Sequence, residues 1–112
     1  MKTINLEAGM PDSQSAMNTL NNRIYAERAT GARCIKIIHG YGSTGKGGAI
    51  KIACHRKLNE YCRRGIIKDF CPGEDLGPFS AHGRDFAVNC PEVRRDIDWG
   101  MDNEGITVVQ FK

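Results

Sequence analysis

A chain of 112 residues and 12.4 kDa has room for one hydrophobic core; folding at this length buries roughly 65% of the surface the unfolded chain exposes. Its 40% hydrophobic and 26% charged residues are ordinary globular usage, which argues against a fibrous or disordered chain. No apolar run approaches the roughly 18–20 residues of a membrane helix, and a net charge of +3 permits a nucleic-acid partner without requiring one.

Polar residues enter the N-terminal Met1–Glu7 stretch too early for a signal peptide, so a cytoplasmic protein is expected. Thr3-Ile4-Asn5-Leu6 reads as a first strand, broken by Gly9-Met10-Pro11. Asp12 or Ser13 then caps a helix, because a side-chain oxygen satisfies the free backbone N–H groups of a first turn. Ala16, Met17, Leu20 and Ile24 form its apolar stripe, and Thr30-Gly31 closes it. Arg33–Ile38 is apolar and β-branched and reads as a central strand. A second helix is expected from about Gly48 to Arg64, with Ile50, Ala53, Cys54, Leu58, Tyr61 and Cys62 on its buried stripe and Gly65 stopping it.

Ile66–Cys71 reads as a third strand, ended by Pro72-Gly73, and Ile106–Phe111 as the last. Short helices fit Ser80–Val88 and Pro91–Asp96, and Trp99 reads as a packing anchor among Asp96, Asp98 and Asp102. The expected fold is an α/β two-layer sandwich, βαβα followed by two strands, in a single domain over residues 1–112. The right-handed crossover rule places both long helices on one face if the strands lie parallel and adjacent in sequence order.

The five cysteines (34, 54, 62, 71 and 90) are odd in number and hold no CxxC pair, so reduced thiols are expected, several of them in the core. A zinc set from Cys54, Cys62, Cys71 and His82 is conceivable, but its spacing suits no known finger.

The chemistry-bearing segment runs from Ile37 to Gly48 and holds five glycines: 40, 42, 45, 47 and 48. It joins a buried strand to a helix N-terminus, where backbone N–H groups and the helix dipole favour an anion. Glycine lets the backbone approach a phosphate without a Cβ clash. The candidate phosphate-binding residues are therefore Gly40, Tyr41, Gly42, Ser43, Thr44, Gly45, Lys46 and Gly47, with Lys51 and Arg56 on the following helix. Gly40-x-x-x-x-Gly45-Lys46 also matches most of a nucleotide-binding P-loop, but Gly47 stands where the magnesium-holding Ser or Thr belongs.

The strand ending Ile37-Ile38-His39-Gly40-Tyr41-Gly42, the glycine loop, the basic helix after it and the closing Gly105-Ile106-Thr107-Val108-Val109 strand resemble the Smr (small MutS-related) domain. The resemblance covers residues 3–71 and 105–112 and leaves 74–104 as a divergent segment or insertion. It implies a fold similar to the C-terminal domain of translation initiation factor three. It also implies nucleic-acid binding, DNA or RNA, often with nicking or endonuclease activity. His39, Gly40, Tyr41 and Gly42 occupy the family's His-Gly-x-Gly motif. The family's Leu-Asp-x-His motif is altered here: Asn5 stands for the Asp and Glu7 for the His, with one extra residue before Gly9.

Asn5 cannot ionise, and removal of a catalytic acid or base costs ~100 to 10,000-fold. Catalysis, if it occurs, falls to His39 as general acid or base with Glu7 as its partner or as a metal ligand; Mg2+ or Mn2+ is the candidate ion, and no other cofactor is expected. The alternative for His39 is a structural histidine that holds the loop. Three functions follow: a nucleic-acid-binding domain with an altered endonuclease site, a non-catalytic nucleic-acid or ribosome-binding module, and a binder of mononucleotides or small phosphates.

Overall fold

The computed structural model describes residues 1–9, 11–41 and 47–112. Strand β1 (Lys2–Asn5) leads to helix α1 (Ser13–Ala29), strand β2 (Cys34–Ile38), helix α2 (Gly47–Arg63) and strand β3 (Ile67–Pro72). A 3-10 turn over Gly73–Asp75, helix α3 (Ala81–Asn89) and a second 3-10 turn over Pro91–Arg95 precede strand β4 (Ile106–Phe111).

The helix ends follow from local chemistry. Asp12 caps α1 by accepting the backbone N–H of Ser15 at 2.8 Å. Gly31 and Gly65 follow α1 and α2 with φ of +77° and +73°, the left-handed conformation that glycine adopts without penalty. Ser80 caps α3 through the N–H of Gly83.

The sheet order is β1-β2-β4-β3. β1 and β2 are parallel, and β4 runs antiparallel to both β2 and β3. The last strand thus enters the middle of the sheet, so β2 and β3 are not neighbours and the sequence-order arrangement does not hold. Central position also explains why all six residues of β4 are buried: its two faces each meet a packed layer, and alternation disappears.

On one face, Ile4, Ile35, Ile37, Ile67, Val109 and Phe111 pack beneath Ala16, Leu20 and Ile24 of α1 and Ile50, Cys54, Leu58 and Tyr61 of α2. Both long helices lie there, although β4 stands between β2 and β3. Ala53 and Cys62 are only half-buried. The other face, Cys34, Cys71, Ile106 and Val108, is covered by Leu76, Phe86, Ala87, Cys90 and Val93, with Trp99 against them. Residues 73–104 therefore add a third layer to the expected α/β sandwich of βαβα followed by two strands. The layer is fastened by charge as well as by packing. Lys36, buried in the centre of β2, pairs with Asp96 at 2.9 Å and with Asp98. Burial works to lower the Lys36 pKa, but the carboxylates of Asp98 and Asp96 outweigh it and the net direction is up.

Candidate nucleic-acid interface at the strand ends

The carboxyl ends of β1, β2 and β3 lie along one edge of the sheet, together with the start of β4. In open α/β sheets this edge is where ligands bind. Glu7, His39, Gly40, Tyr41, Glu74, Gly105 and Thr107 gather there, and α2 passes over it with Lys51 and His55.

Two polar anchors shape this edge. The Asn5 side-chain oxygen accepts the N–H groups of Glu7 and Ala8 at 2.9 and 3.1 Å, folding the turn after β1. The carbonyl of Gly105 accepts the N–H groups of both His39 and Gly40 at 3.0 Å, clamping the start of the glycine segment. Gly40 has φ +72°, and a Cβ there would strike the Glu7 carboxylate. Glu7 and the β2 end are therefore close, as the parallel pairing requires. Glu7 reaches the backbone at Gly40, however, and not the His39 ring, whose two nitrogens are both engaged elsewhere.

His39 is fully buried. Its Nδ1 lies 2.7 Å from the Gly40 carbonyl oxygen, and its Nε2 lies 2.8 Å from Thr107 Oγ1. His55 Nε2 lies 2.8 Å from the same hydroxyl. A carbonyl oxygen only accepts. Neutral His39 must therefore carry its proton on Nδ1, Thr107 donates to His39 Nε2, and His55 donates from Nε2 to Thr107. The result is a directed chain in which every partner is satisfied. Burial, with the nearby His55 and Lys51 charges, outweighs the Gly40 hydrogen bond and pulls the His39 pKa down to about 4. His55, half-buried, is lowered chiefly by burial and next by Lys51. Both rings are neutral at pH 7.

Lys51 donates to Glu74 at 2.8 Å and to the Glu104 carbonyl at 2.9 Å. Burial would raise the Glu74 pKa, but Lys51 holds it below the usual carboxylate range. Tyr41 is 60% exposed, its ring edge standing over Gly105. Arg56 is exposed on another side of α2, in a groove with Met17, Lys57 and Arg63. Lys51 and Arg56 are thus not brought together. Gly47 opens α2, whose first turn holds no acidic residue. Gly42, Ser43, Thr44, Gly45 and Lys46, expected to contact phosphate, lie outside the described residues.

No divalent-cation site for Mg2+ or Mn2+ assembles here among the described residues. Glu7 and His39 share no ligand cluster, and Glu74 is tied to Lys51. The sequence-level zinc set does not converge either: Cys54 and Cys71 lie in cores on opposite faces of the sheet, and His82 pairs with Asp69 at 2.8 Å. Thr107 and His55 were missed as site residues. The Thr of the closing strand and a His four residues after Lys51 were the available signals.

An open α/β sheet whose glycine-bearing segment precedes a helix N-terminus is the setting in which α/β domains commonly hold anions. The chain belongs to the Smr domain family, whose sequence profile matches residues 8–76; members of that family generally bind or nick nucleic acid. Among solved structures it is similar to the Smr domain of Thermus thermophilus MutS2, with a TM-score of 0.62 and 19% identity over 100% of this chain and 99% of that one. At that identity the likeness establishes the fold. No curated protein matches the chain. No described helix is long and apolar enough to cross a membrane.

Proposed function

We propose that this domain binds nucleic acid without cleaving it. Backbone phosphates lie at the glycine segment and the α2 N-terminus, and an unpaired base stacks on Tyr41. The observation that carries the reading is Tyr41: an aromatic ring 60% exposed at the strand-end edge, seated on Gly105 where the loop begins. Base stacking on such a ring is worth ~1–3 kcal/mol. The acid-free first turn of α2 and membership of the Smr family support the same face. His39 acts as a positioning residue that fixes Gly40, and through it Tyr41. With both nitrogens hydrogen-bonded and the ring buried, it is poorly placed to take a proton from water or a phosphodiester.

The cleaving alternative draws on His55, which is half-buried, neutral, and shares the Thr107 hydroxyl with His39. One assay separates the readings. The purified protein is run with supercoiled plasmid, duplex DNA and structured RNA, with Mg2+, Mn2+ or chelator, at two salt concentrations. Binding alone gives shifts that weaken steeply with salt and no nicked product. Nicking that is lost in His55→Ala or His39→Ala supports the endonuclease. Absence of any shift, with thermal protection by ATP or GTP, replaces both with the mononucleotide reading.

A further inference from the structure

The five cysteines differ in their surroundings. Cys34 opens β2, and Cys90 caps the C-terminal end of α3. Both are buried, and they meet at the seam between the sheet and the third layer. Glu92 follows in the next 3-10 turn and is exposed. The two sulfurs and a carboxylate oxygen all lie within 4.8 Å of one another. We propose that Cys34, Cys90 and Glu92 form a binding site for a thiophilic divalent cation of the zinc class, with water as the fourth ligand.

The geometry suits such an ion. Tetrahedral zinc, with bonds of ~2.3 Å to sulfur and ~2.1 Å to oxygen, sets its ligands roughly 3.6–3.8 Å apart. Side-chain torsions on an exposed glutamate and two helix- or strand-end cysteines can supply that closure. The charges suit it too. Two thiolates and a carboxylate total −3, and the ion leaves −1, which Arg33 and Lys68 beside Cys90 offset. The pair is already unequal: hydrogen bonding to Cys90, with burial, pushes the Cys34 thiol up, and the same hydrogen bond pulls Cys90 down. On metal entry both thiol protons leave to water, and no oxidation is involved. Glu92 at the mouth gives the ion an entry path. Its effect is a second fastening of the third layer to β2, one residue pair along from Lys36 with Asp96 and Asp98.

The test is Co2+ titration of the full chain, purified with reductant and freed of chelator. One equivalent should bind with a thiolate-to-cobalt charge-transfer band of two-sulfur intensity and tetrahedral d–d bands, both displaced by Zn2+. Cys34→Ser with Cys90→Ser should abolish the band, and Cys62→Ser, a half-exposed thiol outside the set, should leave it. Glu92→Gln, at an exposed position that keeps the fold, should weaken binding about tenfold or more. Retention of the band in the Cys34/Cys90 double variant, its loss in Cys62→Ser, or full affinity in Glu92→Gln overturns the site. So does loss of two hydrogens by mass, as a Cys34–Cys90 disulfide, in the presence of equimolar zinc.

Discussion

Protonation of His39 should be a large acid-lability of this fold. The ring is fully buried and its pKa falls from 6.5 to about 4 on folding. The fold therefore prefers the neutral form. The associated stability is present above pH 6.5, where the unfolded chain is neutral too, and is lost as pH falls toward 4. One pKa unit corresponds to about 1.4 kcal/mol, so the loss at pH 4 is about 3 kcal/mol. That is a large share of the roughly 5–15 kcal/mol that holds a domain together. His39→Gln removes the titration and keeps a neutral donor and acceptor. It should cost ~1–3 kcal/mol at pH 7 through imperfect hydrogen bonding. Urea unfolding of both proteins at pH 7, 6, 5 and 4 isolates the effect, since His55 and the carboxylates titrate in each. Wild type should lose about 3 kcal/mol more than the variant over that range. A stability difference that stays constant with pH, or a His39 ring proton titrating near pH 6.5 by NMR, would refute the reasoning.

Lys36→Met should destabilise the protein by ~3–5 kcal/mol, because Asp96 and Asp98 are left facing each other at the seam; adding Asp96→Asn and Asp98→Asn should restore most of it, as read by chemical denaturation. Gly83→Ala drives a Cβ into the backbone of Asp75 and Gly77 and should cost ~1–3 kcal/mol or more. Gly9→Ala meets nothing within 4 Å and pays only for its φ of +77°, ~1–2 kcal/mol; thermal melts should rank the two in that order. Tyr41→Ala should weaken binding to single-stranded or looped nucleic acid by ~1–3 kcal/mol, with Tyr41→Phe near wild type in the same shift assay.

Much of this was legible in the chain because it is local. Asp12, Thr30-Gly31 and Gly65 mark helix ends through capping chemistry, and the helix stripes follow from spacing alone. The position of β4 was not legible: entry of the last strand between β2 and β3 is a pairing over long sequence separation that no local pattern encodes. The same holds for the third layer. Asp96 and Asp98 read only as acids flanking Trp99, whereas they serve a lysine far back in β2. A single Lys in an otherwise apolar strand was the available clue. Within the site, His39, Gly40 and Tyr41 stood out by motif. His55 did not, because a helix with cations scattered around it gives no sign of which one turns inward to meet Thr107.

The central place of β4 also bears on the order in which the molecule forms. β1, α1 and β2 make a parallel unit from nearby segments, which can collapse early because little loop entropy is lost. β3 pairs with β4 among the described strands, so it waits on the ladder until the last strand arrives. As the chain leaves the ribosome, the first unit and α2 emerge well before the strand that joins them to β3. The event that completes the sheet delivers Thr107 to His39 and His55, and the Gly105 carbonyl to the start of the loop. Closure of the sheet and assembly of its strand-end edge thus depend on the same strand, and a chain lacking β4 would leave the inner edge of β2 unpaired and His39 without Thr107.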